Sequence, residues 1–328
     1  MFIRTGLLAI AQLALATQLV SAAQVWDLSL EYQPNSLPGE TSRVFAEKLS
    51  ELSGGAITVK IHYGAALGFK SVDQFDAVGD GALKIASSFM PTWSGIDPLF
   101  LISTLPLLAQ SPEDAARLYS AVKPAMSNVL DKSNQVMLFV TPWPNNGIWA
   151  KKAIDDKASL KDLRVRTFDP NGTLTFRAAG AAPIQLSWAD VLAQLSTGGI
   201  DAVLTSADGG GAAKLWELLS HYTEVPYASP WQMVHMNKGI FGKLSDQEKA
   251  WVRKAADEAE RHGWKAVTVR VEHNYAEMRK HGMTVIDKPN DAAVATLSKA
   301  GAELIKRWEQ TVGPAGKEAI ARYRGNKN

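Results

Sequence analysis

Few residues of this chain are spaced for covalent chemistry. None of the six histidines falls in an H-E-x-x-H pattern, and His273 and His281, eight apart on a helical stretch, read as neighbours of solvent rather than metal ligands. No serine sits in a G-x-S-x-G elbow, and the absence of cysteine removes thiolate nucleophiles, thiolate metal sites and disulfides. Asp208 to Gly211 followed by Lys214 is glycine-rich but lacks the G-x-x-x-x-G-K-[ST] spacing of a phosphate loop. It reads as a flexible turn before a helix near Ala212, whose first N–H groups would be open to an anion. Asp155 and Asp156 beside Lys157 read as a charged loop, and no pattern calls for a cofactor or a metal. What remains is Arg164 and Arg166 on a short strand, of which Arg166 is the stronger candidate. A guanidinium offers two parallel N–H donors to both oxygens of a carboxylate. Residue type alone leaves two readings of Arg166 open: the holder of an organic acid in a cleft, or a surface arginine paired with a neighbouring acid.

The elements that would position it follow from hydrophobic spacing. Trp26 to Tyr32 alternates as a strand, Pro34 to Gly39 interrupts it, and Phe45, Leu49 and Leu52 form one stripe of a helix from about Glu40 to Leu52. Ser53-Gly54-Gly55 stops that helix, and Ile57, Val59, Ile61 and Tyr63 alternate as a second strand. A helix over Ser71 to Val78 and a strand over Ala82 to Ser87 complete a β-α-β-α-β order, the signature of a largely parallel, open α/β sheet. The pattern returns as strands at Gln135 to Val140, Leu163 to Arg166 and Ala202 to Leu204. Short helices over Leu174 to Ala179 and Trp188 to Ser196 lie among them, with an extended Pro183 to Leu186. Two α/β units joined by several crossings make a two-lobed molecule with a cleft, the favoured place for a ligand. Ser245 and Glu248 form a capping box before a helical pattern reaching about His281, roughly 50 Å long and enough to cross both lobes. A last helix covers Asp291 to Gln310.

The ends and the composition bound the setting. Arg4, the apolar run Leu7 to Val20 and the small-x-small site Val20-Ser21-Ala22 predict a signal peptide over residues 1–23. Its apolar core is too short to span a membrane, and no later stretch is long enough. The roughly 300 remaining residues suit two ordinary domains. A net charge of +2, with Lys and Arg spread along the chain, gives no basic stripe for nucleic acid. The basic end (Arg322, Arg324, Lys327) reads as a solvated tail.

One segment is specific. Leu160-Lys161-Asp162-Leu163-Arg164-Val165-Arg166, then Gly180-Ala181-Ala182-Pro183, then Leu195 to Asp201 resembles the central segment of the extracytoplasmic solute-binding subunits of TRAP transporters, the dicarboxylate-binding-protein-like (DctP) family. Looser similarity over Glu31 to Gly68 and Phe241 to Ala259 extends it along nearly the whole mature chain. The resemblance implies a periplasmic-binding-protein type II-like fold, with lobe I from 24–143 and 231–271 and lobe II from 144–230 and 272–328. It implies a periplasmic location, a small carboxylate ligand and a membrane permease as partner. It also places the family's carboxylate-holding arginine on Arg166.

Two departures bear on the ligand. Many members carry a second arginine in the preceding strand, where this chain has Asn146, and the family's D-G-Q-E-N run becomes Asp201-Ala202-Val203-Leu204-Thr205, which puts Thr205 in place of its ligand-binding asparagine. Asn146 and Thr205 hydrogen-bond but add no charge, which favours a monocarboxylate. Trp143, Trp216, Trp231 and especially Phe89, Trp93, Trp149 and Trp188 offer an aromatic wall. The expected ligand is thus a hydrophobic or aromatic, 2-oxo or hydroxy monocarboxylate, bound by closure of the cleft. A sugar acid, a uronate or aldonate, is the alternative. An enzyme on a similar scaffold would need an acid/base pair that the sequence does not offer.

Overall fold

The computed structural model describes residues 23–325 apart from 110, 226, 289 and 290, so nearly all of the expected leader lies outside the described residues. The chain enters the first lobe through β1 (Gln24–Leu30), which buries Trp26, Leu28 and Leu30. Helix α1 (Leu37–Leu52) begins three residues earlier than the stripe suggests. Ser36 caps it by accepting the Gly39 N–H at 3.2 Å, and a proline in a first turn lacks only an N–H that would go unbonded there. Next come β2 (Ile57–His62), α2 (Ser71–Gly79) and β3 (Ile85–Phe89). Helix α3 (Pro112–Lys132) is a full 21-residue element that the sequence reading passed over; Pro124 interrupts its pattern, yet Leu118, Val122, Met126 and Leu130 all bury on one face. β4 (Gln135–Pro142) then leads out of the lobe.

The second lobe holds β5 (Asn146–Ala150), α4 (Lys157–Leu160), β6 (Val165–Thr167), α5 (Pro170–Ala178), β7 (Ile184–Gln185), α6 (Val191–Ser196), β8 (Ala202–Ser206), α7 (Ala207–Ala212) and β9 (His221–Glu224). The chain returns through β10 (Trp231–Asn237) and α8 (Lys238–Gly242) to α9 (Asp246–Lys280). β11 (Thr284–Ile286), α10 (Asp291–Thr311) and α11 (Pro314–Gly325) follow, with α10 packed on α5 and α11 on α3.

Two sheets result, ordered β2-β1-β3-β10-β4 and β11-β9-β5-β8-β6-β7. β1, β2 and β3, the strands of the β-α-β-α-β order, pair in parallel as expected, and the strands that cross between the lobes make both sheets mixed. β10 runs antiparallel to both β3 and β4, and β5 antiparallel to both β8 and β9. Each of these strands arrives from the other lobe rather than through a crossover helix, so nothing obliges it to run parallel. The crossing segments lie side by side. Trp143 N–H donates to Pro230 O at 2.8 Å, Asn146 N–H to Ala228 O at 3.1 Å and Ser229 Oγ to Trp143 O at 2.6 Å.

Helix α9 is the third connection, 35 residues opened by the Ser245–Glu248 capping box. Its first half buries Val252, Ala255, Ala256 and Ala259. A Cβ at Gly263 would meet Thr141 Cγ2 at 2.3 Å, so glycine sets how closely the helix lies on β4. Its second half reaches the other lobe, burying Tyr275 and Met278. Among the described residues no helix is long and apolar enough to cross a membrane.

The region around Asp208 is corrected. Residues 207–212 form α7 instead of a loop, and the Ser206 hydroxyl accepts the Gly209 N–H at 3.1 Å. Its glycines answer to packing: a Cβ on Gly210 would meet the Trp149 ring at 2.2 Å.

Candidate functional site

Arg166 lies at the middle of β6, between β8 and β7, and is 3 % exposed. Arg164, one residue pair back, faces outward and makes a two-pronged contact with Asp201 at 2.7 and 2.8 Å. Of the five N–H donors of Arg166, Nε is given to Leu186 O at 3.0 Å and one on Nη1 to Leu204 O at 3.3 Å. The remaining donors have no protein acceptor among the described residues. Trp188 and Phe168 hold the guanidinium from the sides, 5.4 and 5.7 Å from their ring centres. No carboxylate lies within ion-pair distance among the described residues, and burial depresses the guanidinium pKa against the opposing pull of Tyr32, Glu31 and Asp169.

The guanidinium opens on a narrow pocket between the lobes, lined by Tyr32, Phe89, Trp143, Asn146, Arg166, Phe168, Thr205, Ser206 and Pro230. Tyr32 comes from the end of β1 and Phe89 from the end of β3. Asn146 starts β5, and Thr205 and Ser206 end β8. The site therefore lies where strand ends of both sheets converge, as open α/β sheets favour. Tyr32 is packed against Trp143 at 4.7 Å and stacked on Trp188 at 5.6 Å. Burial raises its hydroxyl pKa, so it stays protonated.

Arg166, Asn146, Thr205 and Phe89 line this cavity together, and Trp188 braces the guanidinium. Trp149 and Trp93 are placed elsewhere. Trp149 Nε1 donates to Ser206 O at 3.2 Å beneath Gly210, and Trp93 Nε1 donates to Ser71 O at 2.8 Å with its ring edge-on to Phe75 and Phe100. Trp231 is buried beside Tyr119, and Trp216 stacks on His281 at 4.2 Å. Tyr32, Phe168, Ser206 and Pro230 were not foreseen. Phe168, two residues after Arg166 on the same strand line, was open to the alternation argument.

The lobes are drawn together over the cavity. Leu37 N–H donates to Asp208 at 2.8 Å, Trp188 Nε1 to Gln33 at 3.1 Å, Ala189 N–H to Glu31 at 2.9 Å and Asn171 Nδ2 to Leu101 O at 3.2 Å. Lys70 pairs with Asp190 at 2.8 Å, and the Thr104 hydroxyl donates to Asp169. Asp169 caps α5 through Gly172 N–H at 2.8 Å, and burial pushes its pKa up to about 6. No cluster of three metal-type side chains occurs among the described residues.

Comparison with known proteins agrees with this geometry. Residues 28–311 match the family of bacterial extracellular solute-binding proteins, family 7 (DctP). A solute-binding protein of Verminephrobacter eiseniae is 25% identical over 305 residues, 89% of this chain and 87% of that one. Among solved structures, DctP7 of Bordetella pertussis, an extracytoplasmic solute receptor binding pyroglutamic acid, superimposes with a TM-score of 0.88. It is 27% identical and covers 92% of this chain and 100% of its own. A TRAP solute-binding protein from a marine metagenome, specific for pyroglutamate, gives 0.87 at 29% identity, covering 93% and 99%. The match over nearly the whole length, on a two-lobed α/β fold shared with the solved relatives, makes this chain a member of family 7 of the bacterial extracellular solute-binding proteins, the receptors of TRAP transporters.

Proposed function

We propose that the protein captures a small organic monocarboxylate outside the cytoplasm and delivers it to a TRAP membrane permease. The observation that carries this reading is the Arg166 guanidinium, buried and without a carboxylate partner among the described residues, facing an interlobe pocket. A buried cation in need of a partner is costly, and a ligand carboxylate offsets that cost with charge-assisted hydrogen bonds. Asn146, Thr205 and Ser206 supply the other polar contacts, and none is charged. A dicarboxylate would bury a second negative charge with no matching cation, at several kcal/mol. A hexonate would bury many hydroxyls against a lining that is mostly Tyr32, Phe89, Trp143 and Phe168. A compact acid with one flat apolar face fits better, and the pyroglutamate bound by the two structural relatives named above is of this kind.

Binding rather than catalysis suits the same lining. Glu31 is engaged with two backbone N–H groups and Asp169 with Thr104 and Gly172, so no acid/base pair faces the cavity among the described residues. Capture proceeds by closure: Arg166 takes the carboxylate on one lobe, and Tyr32 and Phe89 of the other cover it. A thermal-shift and calorimetric screen of organic acids tests this. Stabilisation by small monocarboxylates supports it, and stabilisation only by succinate, uronates or aldonates would sink it.

A further inference from the structure

Arg166 accounts for a carboxylate, and one polar group in the same cavity is left over. The Asn146 side chain is 2 % exposed, its Oδ1 has no donor, and its Nδ2 has no acceptor among the described residues. Its backbone is fully used, N–H on Ala228 O and C=O accepting Val225 N–H, both at 3.1 Å. The fold thus needs the strand at this position but makes no use of the carboxamide. A leucine would fill the same space without burying an unbonded amide.

A carboxamide presents an N–H donor and an oxygen acceptor side by side in one plane. Its full complement is a group offering an acceptor and a donor side by side in return. The cis amide of a lactam does so: its C=O accepts from Nδ2 while its N–H donates to Oδ1. Because both ends are used, the match does not depend on which way the Asn146 amide is turned. β5 and β6 flank β8, with Asn146 opposite Ser206 and Arg166 opposite Val203, so the two residues line the pocket from strands on either side of β8. Tyr32, Phe89, Trp143 and Phe168 leave flat walls for the methylene carbons of a lactam.

We infer that Asn146 is the specificity-determining residue and selects small cyclic acids that carry a cis amide beside the carboxylate, of which five-membered lactam carboxylates are the simplest. This rests on the reading of Arg166 as the carboxylate holder. The test is titration calorimetry of the wild-type protein and Asn146→Leu with pyroglutamate, its ring-lactone analogue (N–H replaced by O) and cyclopentanecarboxylate. The wild type should bind the lactam about 10- to 100-fold more tightly than the lactone. Asn146→Leu should bind the two within about threefold of each other. Equal wild-type affinities for lactam and lactone would overturn the inference, as would a preference surviving in Asn146→Leu. The analogue series on the wild type decides the matter even if that variant fails to fold. If the wild type takes other small monocarboxylates in an Arg166-dependent way but refuses the lactam, this inference falls and the carboxylate reading stands. If no monocarboxylate binds through Arg166, both fall.

Discussion

Asp208 and Leu37 face each other across the lobes, with the first-turn N–H of α1 donating to an Asp208 oxygen at 2.8 Å. The other oxygen takes Arg270 Nε at 2.7 Å, and Arg270 in turn holds Glu40 and the Asn35 carbonyl on the first lobe. Burial raises the Asp208 pKa despite these partners, so the carboxylate depends on them for its charge. The helix N-terminus it meets adds a favourable dipole. If the lobes part, the Leu37 contact is lost, which would make this buried charge a latch.

Asp208→Asn removes the charge and sets a donor against Leu37 N–H. Closure should weaken, and ligand affinity should fall about 10-fold, from a loss of about 1–2 kcal/mol. Small-angle scattering of the ligand-free variant should show a larger radius of gyration than the wild type. An unchanged radius and affinity would mean that the contact does not bias closure.

Arg166→Gln keeps a long polar side chain and deletes the charge. Removing one partner of a buried ion pair costs about 3–5 kcal/mol, so affinity for the cognate acid should drop by at least about 100-fold. The ligand-free melting temperature should hold or rise, because an unpaired buried cation disappears. Retained tight binding would place the site elsewhere.

Asp169 provides a pH signature. Its pKa of about 6 in the fold exceeds the ordinary 3.8, so the folded protein binds the proton more tightly than the unfolded chain does. The cost of its charge is absent below about pH 4 and complete above about pH 6, so stability should decline as pH rises through that window, by up to about 3 kcal/mol. Asp169→Asn keeps a competent helix cap and should flatten this part of the curve. Matched denaturant titrations at pH 4.5 and 7 check it; identical differences for both proteins would clear Asp169 of the effect.

Gly210→Ala drives a Cβ toward the Trp149 ring, where it would lie 2.2 Å away. Overpacking of this kind costs about 1–3 kcal/mol, a drop of several degrees in melting temperature. Gly313→Ala, with no atom within 4 Å of the new methyl, serves as the neutral control.

Legibility from sequence tracked the range of the forces involved. The helix over 246–280 announced itself through a capping box and a long period, and the strand at Val165–Thr167 through its neighbours in sequence. β5, β9 and β10 stayed hidden because every residue of β5 and β10 is buried, which erases the alternation that marks a strand. Arg166 and Asn146 were singled out through motif and departure from motif, and both line the interlobe pocket. Trp93 and Trp149 were placed in the wall because residue type cannot distinguish an aromatic that lines a cavity from one that packs behind it. Tyr32 escaped notice for the converse reason: it closes a strand 134 positions before Arg166, and only the folded chain brings them together.

Tyr32, Phe89, Trp143, Asn146, Arg166, Phe168, Thr205 and Ser206 around the pocket are each at most 8 % exposed. If a bound acid leaves only when the lobes part, its escape cannot outrun that parting. One unimolecular opening rate is then a ceiling on dissociation that every ligand shares, and residence time has a floor set by the hinge rather than by the acid it encloses.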